Sequence, residues 1–183
     1  MLNKNMRKAE IEDVLDGRGD FVKIDYLTRY LKDMPPHNMK KFAYLKLAEI
    51  YEEKKMFMDA AKMYKNLAVN SLTFKDKIDY YILETKSLIL AGNFDDADKA
   101  LRKALNEGNS RDKIEIYKVI KEFYKGEALK LEDSRKINHA AKIYEKLLRM
   151  NLEEDEKEEV REKLIELYEK LGKRKEIEFL KRV

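Results

Sequence analysis

The side chains that most often carry chemistry are sparse and scattered in this 183-residue sequence. It has two histidines, His37 and His139, and no cysteine, which excludes a thiol nucleophile and a thiolate metal site. Neither histidine has a second histidine or a carboxylate at the spacing that metal ligands need. The sequence also has no glycine-rich phosphate loop and no constellation of serine, histidine and aspartate. We therefore predict that the chain is not an enzyme and holds no metal or cofactor.

Charged residues are abundant and interleaved along the chain. They make up 42% of it, and 40 lysines and arginines stand against 36 aspartates and glutamates, for a formal net charge of +4. A nucleic-acid-binding protein more often concentrates its basic residues on one stripe. This distribution favours solvated helix surfaces and makes nucleic acid an unexpected partner. Abundant lysine and glutamate without glutamine or cysteine are also typical of proteins from thermophiles.

The composition favours helix throughout. Only 6 glycines and 2 prolines interrupt the chain, and 44% of the residues are hydrophobic, which is enough for a core. No apolar run approaches the ~18–20 residues that cross a bilayer. The first eight residues do not lead into the apolar segment of a signal peptide. We expect an all-α, soluble, cytoplasmic protein that does not insert into a membrane.

Apolar and small residues recur in a pattern that repeats after about 36 to 43 residues. In each copy, an amphipathic helix is followed by a short polar break and a second helix with an alanine near its start. Ala60, Ala97 and Ala140 occupy this small position, where two antiparallel helices can approach closely. Gly92 and Gly172 fall where a first helix must end. The pattern predicts one domain of five helical hairpins and ten helices, with approximate units 1–36, 37–70, 71–108, 109–151 and 152–183.

At these positions the chain resembles the tetratricopeptide repeat family, a helix–turn–helix unit of about 34 residues. The resemblance covers nearly the whole chain and implies a right-handed α–α superhelix, or solenoid. The spacing here is longer, and we expect long first helices over 73–91 and 111–131, the latter capped by Ser110. Three residues depart from the family pattern: Glu84 and Glu127 stand where it often has leucine, and Ile177 replaces the small residue in the last unit.

In the family that this chain resembles, the first helix of each hairpin lines a concave groove that binds partners. The resemblance implies a groove lined by Phe42, Leu45, Lys46, Glu49, Ile82, Lys86, Ile89, Lys125 and Leu129. Its apolar members would receive an amphipathic helix or an extended peptide of another protein, and its lysines would select an acidic flank. A second interpretation stays open, in which long first helices press on one another and bury the apolar residues as core.

These features predict a non-catalytic scaffold or adaptor that binds a protein or peptide partner. Two alternatives stay open. One is an RNA-associated helical-repeat protein, which would show basic residues on one face of successive units. The other is a self-associating regulatory subunit of a larger complex, in which the apolar end of the chain, around Phe179, Leu180 and Val183, joins two copies as a homodimer.

Overall fold

The computed structural model describes residues 2–182 of the chain. This part contains ten α-helices and no strand, which confirms the predicted all-α class and the number of helices. The helices are α1 (Lys8–Leu15), α2 (Asp20–Lys32), α3 (His37–Glu53), α4 (Phe57–Val69), α5 (Phe74–Leu90), α6 (Phe94–Glu107), α7 (Ser110–Asp133), α8 (Ile137–Leu147), α9 (Glu154–Leu171) and α10 (Arg174–Leu180). None of these helices is both long enough and apolar enough to cross a bilayer.

The helices form two compact units, Met1–Asn109 with α1 to α6 and Ser110–Val183 with α7 to α10. In the first unit, α3 packs against α2 and α4, and α5 packs against α4 and α6. In the second unit, α8 packs against α7 and α9, and α9 also packs against α10. Packing between helices that follow each other in sequence is the arrangement of helical hairpins. The single domain predicted from the sequence stays a prediction.

A left-handed residue stands in the turn of every hairpin among the described residues, and four of the five turns share one hydrogen-bond pattern. A residue with positive φ follows the first helix of each pair: Gly17 (66°), Lys55 (58°), Gly92 (72°), Arg135 (57°) and Gly172 (69°). At the last four of these turns, the next backbone N–H donates to the carbonyl oxygen five residues earlier, at 2.8–2.9 Å. This is the Schellman motif, which satisfies the last carbonyls of a helix. The predicted helix ends at Gly92 and Gly172 are confirmed, and Lys55 and Arg135 adopt the same conformation although they carry side chains.

The small position of the repeat lies where the two helices of a hairpin meet. Ala60, Ala97 and Ala140 expose at most 1% of their surface, so each permits close helix packing. The last hairpin has Ile177 at this position, and no side chain within α10 is buried.

The two long first helices of the middle hairpins are also confirmed. α5 begins after Thr73, whose hydroxyl oxygen accepts a hydrogen bond from the backbone N–H of Asp76 at 3.1 Å. α7 begins at Ser110 itself, one residue before the predicted start, and extends two residues beyond the predicted end at 131. Differences of this size are usual where helix ends fray.

Two tyrosines donate hydrogen bonds to glutamates of the preceding helix. Tyr144 of α8 donates to Glu132 of α7, with 2.5 Å between Oη and Oε1, and Tyr168 of α9 donates to Glu145 at 2.7 Å. These tyrosines expose 4% and 6% of their surface, so each glutamate satisfies a hydroxyl group that burial has removed from water.

Candidate functional site

In α3, the predicted groove residues divide between core and surface. Phe42 is 8% exposed and packs in the core formed by α1, α2 and α3, with the ammonium group of Lys8 5.2 Å from its ring. Leu45 is half-buried against the core between α3, α4 and α5. Lys46 and Glu49 form a partly exposed ion pair, with 3.0 Å between Nζ and Oε2. α3 therefore presents the last three residues, but not Phe42, at its surface.

In α5, Ile82 and Lys86 are half-buried, whereas Ile89 is only 2% exposed. Ile89 is thus a core residue, and a partner could not contact it without displacing the packing around it. Lys41 of α3 forms an ion pair with Asp76 of α5, with 3.1 Å between Nζ and Oδ2, and the hydroxyl group of Ser87 of α5 donates to Glu52 of α3 at 3.4 Å, so the two helices contact each other. The grouping of the predicted residues of these two helices in one groove stays a prediction.

The predicted groove residues of the second unit have different environments. Lys125 of α7 lies 2.8 Å from the carboxylate of Glu156 of α9, and Lys121 lies at the same distance. Hydrogen bonds from Lys121 and Lys125, together with the backbone N–H of Glu153, lower the pKa of Glu156 to about 2. Lys125 therefore joins α7 to α9 by an ion pair, and a partner could bind its ammonium group only in competition with Glu156. Leu129 is 53% exposed and lies on the surface of α7.

Sequence reasoning missed a cavity of about 410 Å³ between α4, α5 and α6. Four lysines, two carboxylates and three apolar residues line it: Met58, Ala61, Lys62 and Lys65 of α4, Glu84 and Leu88 of α5, and Asp96, Lys99 and Lys103 of α6. We call it the lysine cavity. Its lining has two more positive than negative charges when every group is ionised, so it attracts anions.

Glu84 is the buried polar residue of the lysine cavity. Its side chain is 8% exposed, and Oε1 lies 3.9 Å from Nζ of Lys103, which is too long for a hydrogen bond. Oε2 is buried and has no hydrogen-bond partner among residues 2–182. Burial raises the pKa of Glu84, while the charges of Lys103 and Lys65 oppose that rise. An unsatisfied buried oxygen costs about 1–3 kcal/mol of stability.

The lysines of the cavity are held in place by weak surface pairs. Lys62 lies 2.9 Å from Asp59 and Lys99 lies 2.7 Å from Asp96, and the side chains of both pairs are partly exposed to solvent. Exposed pairs of this kind contribute about 0–1 kcal/mol, so these ammonium groups can exchange partners easily. The feature of the sequence that pointed to this site is Glu84, which stands where the repeat pattern that the chain resembles often has leucine. The sequence pattern does not show that Glu84 is buried or that lysines of two other helices surround it.

A second cavity, also of about 410 Å³, lies in the second unit among α8, α9 and α10. Leu148, Leu164 and Leu180 line it together with Phe179, which is 66% exposed. It lies beside the apolar chain end that the sequence singled out. The third residue of that prediction, Val183, lies outside the described residues.

Both histidines are exposed, and no group of three histidine, aspartate or glutamate side chains within residues 2–182 is arranged to hold a metal ion. Comparisons with protein-family models, with curated proteins and with solved structures find no match for this chain. The resemblance to tetratricopeptide repeats therefore stays a prediction that rests on the residue pattern.

Proposed function

We propose that this chain is a non-catalytic scaffold of tetratricopeptide-like hairpins, arranged as a right-handed superhelix, that binds a segment of a partner protein. The observation that carries the proposal is the turn that recurs at Lys55, Gly92, Arg135 and Gly172 with the same hydrogen bonds. A fold built from one repeated hairpin presents similar helix faces again and again, and such faces suit extended ligands. Function in such an array resides in the exposed side chains of these faces.

The binding surface that we propose in the first unit consists of Leu45, Lys46, Glu49, Ile82 and Lys86, which we call the first-helix surface. Leu45 and Ile82 are half-buried, so a partner that covers them removes the remaining apolar area from water. The Lys46–Glu49 pair is exposed and contributes little on its own, so an acidic residue of the partner can replace Glu49 at low cost. These properties fit an amphipathic helix or an extended peptide with an acidic flank.

The test is affinity capture from a native lysate with the folded chain as bait, with and without nuclease. Ile82→Asp places a charge within the first-helix surface and should abolish capture of a protein partner. The matched control is Leu72→Asp, which puts the same charge at a residue that is 87% exposed and lies outside that surface. Capture that survives Ile82→Asp would contradict the proposed surface. Capture that nuclease removes would favour RNA instead.

A further inference from the structure

We propose that the lysine cavity binds a phosphate group that carries a proton, either free hydrogen phosphate or the phosphate of a small molecule. The cavity is formed by α4, α5 and α6, and the proposal does not depend on the scaffold function or on the first-helix surface. Three observations support it: an unsatisfied acceptor, a surplus of cations and a volume larger than one small ion.

The acceptor is Oε1 of Glu84, which belongs to the cavity lining. Its side chain is 8% exposed, and Nζ of Lys103 lies 3.9 Å from this oxygen, which is too far for a hydrogen bond. A carboxylate oxygen in this position needs a donor, and an anion supplies one only if it carries an O–H group. Hydrogen phosphate carries one at neutral pH, whereas sulfate does not. A phosphate monoester also carries one in its monoanionic form, because its second pKa is about 6.

The cations are the lysines of α4 and α6. Lys103 lies 3.9 Å from Glu84 Oε1, and Lys65 is exposed at the rim, where its charge acts on both Glu84 and Asp96. Lys99 pairs with Asp96, and both side chains of this pair are exposed. An anion that enters the cavity can therefore bind several ammonium groups without breaking a buried ion pair. The same lysines repel a metal cation, which excludes the alternative that Glu84 and Asp96 bind one.

The remaining lining is apolar and leaves space beside the phosphate. Met58, Ala61 and Leu88 line the cavity, and its volume of about 410 Å³ lies in the range of small-molecule sites. The phosphate oxygens would face the lysines, and a short organic group could pack against these three side chains. The repeat pattern predicts leucine at position 84. A leucine there would remove the acceptor, and with it the preference for hydrogen phosphate over sulfate.

The experiment is calorimetric titration of the full chain with sodium phosphate and with sodium sulfate, at constant ionic strength and about pH 7. The two anions are similar in shape and charge, and only hydrogen phosphate can donate to Glu84. We expect phosphate to bind at least about tenfold more tightly than sulfate, because a site built around a hydroxyl donor discriminates against ligands that lack it. Equal affinities, or no binding of phosphate up to about 10 mM, would overturn the proposal.

Three variants assign the result to the cavity. Glu84→Leu should remove the preference for phosphate over sulfate. Lys65→Met changes an exposed residue, so the fold is retained, and it should weaken phosphate binding by about fivefold or more. Lys142→Met removes the same charge from an exposed position of α8 and should change nothing. Phosphate binding that survives both cavity substitutions unchanged would place the anion elsewhere and overturn the assignment.

Titrations with glycerol 3-phosphate and with free phosphate at about pH 6, where about half of the monoester carries a proton, distinguish the two sources of the phosphate group. Tighter binding than that of free phosphate would identify a small phosphorylated molecule as the ligand, because its organic part gains contact with the apolar lining. Equal or weaker binding, with the same loss in Lys65→Met, would identify the free ion. Both results support the cavity as a phosphate site.

Discussion

Two glutamates that lie between helices, one in each unit, differ in their partners and in the direction in which their pKa is shifted. Glu156, in the second unit, lies 2.8 Å from the ammonium groups of both Lys121 and Lys125, and their hydrogen bonds lower its pKa to about 2. Glu84, in the first unit, is more deeply buried, and its nearest cation, on Lys103, lies 3.9 Å away. Burial raises its pKa. A glutamate between helices therefore stabilises the second unit at Glu156 and destabilises the first unit at Glu84.

The contrast teaches that the number of partners decides what an inter-helix carboxylate contributes. A glutamate whose oxygens are all satisfied stabilises the contact between α7 and α9. A glutamate with one unsatisfied oxygen destabilises the fold, and such a residue is expected where a site serves function at the expense of stability. Substitution of each glutamate should therefore have effects of opposite sign.

The largest effect is expected from Glu156→Gln, which leaves Lys121 and Lys125 without their shared carboxylate. We expect the free energy of unfolding at neutral pH to fall by about 2 kcal/mol, less than for a fully buried pair because these side chains are about one-fifth exposed. Urea denaturation measures it. The matched control is Asp76→Asn, whose pair with Lys41 is about 40% exposed and should cost less than about 1 kcal/mol. Equal losses would contradict the special role of Glu156.

The pH dependence of stability tests the same residue without changing its packing. The pKa of Glu156 is 4.5 when unperturbed and about 2 in the folded chain, so its contribution is complete above pH 4.5 and is lost as the pH falls towards 2. The free energy of unfolding of the native chain should therefore decrease over this window more steeply than that of Glu156→Gln. Parallel curves would show that the two lysines do not hold this carboxylate.

A smaller effect of opposite sign is expected for Glu84→Leu. It removes the buried oxygen that has no partner, so the free energy of unfolding at neutral pH should rise by about 1 kcal/mol. Because the folded pKa of Glu84 is raised, its contribution is present below pH 4.5 and is lost as the pH rises. The gain from the substitution should accordingly grow from pH 4.5 towards neutral pH. A net loss of stability would mean that Glu84 is satisfied in solution.

The hairpin turns are the feature in which the two units should not differ. Gly92 and Gly172 both have positive φ, and outside the adjacent residues no heavy atom lies within 4 Å of the place that a Cβ would occupy. Gly92→Ala and Gly172→Ala should each lower the free energy of unfolding by about 1 kcal/mol, through backbone strain alone. Thermal unfolding measures both. A clear difference between the stability losses of the two variants would contradict the expectation that the same turn contributes equally in both units.

The smallest effect is expected where the same turn carries a side chain. Lys55→Gly and Arg135→Gly relieve a left-handed backbone, but they also increase the freedom of the unfolded chain. We expect each substitution to raise the free energy of unfolding by about 0.5 kcal/mol, equally in both units. Lys54→Gly is the control: Lys54 has a negative φ and pairs with Asp20, so its substitution should lower stability through backbone freedom and the lost pair.

The residue pattern predicted much of the local structure and less of the candidate sites. Alanines and glycines mark the helix crossings and helix ends because only small residues fit there, so Ala97 and Gly92 could be placed from sequence. Lys55 gives no such signal, since neighbouring hydrogen bonds impose its conformation. Periodicity finds the apolar face of a helix but does not distinguish a face covered by another helix from a free one, which is why Ile89 was placed in a groove and lies in the core. The lysine cavity draws on three helices, and only their packing assembles it.

The buried tyrosines allow the opening of the fold to be followed by absorbance. It has 11 tyrosines and no tryptophan, so tyrosine dominates its near-ultraviolet absorption. Burial, reinforced by Glu52, Glu132 and Glu145, raises the pKa values of Tyr64, Tyr144 and Tyr168. In an alkaline titration, exposed tyrosines should ionise first, and these three should ionise only when the helices that bury them separate. A delayed second step in tyrosinate absorbance would thus record the separation of these helices without an added label.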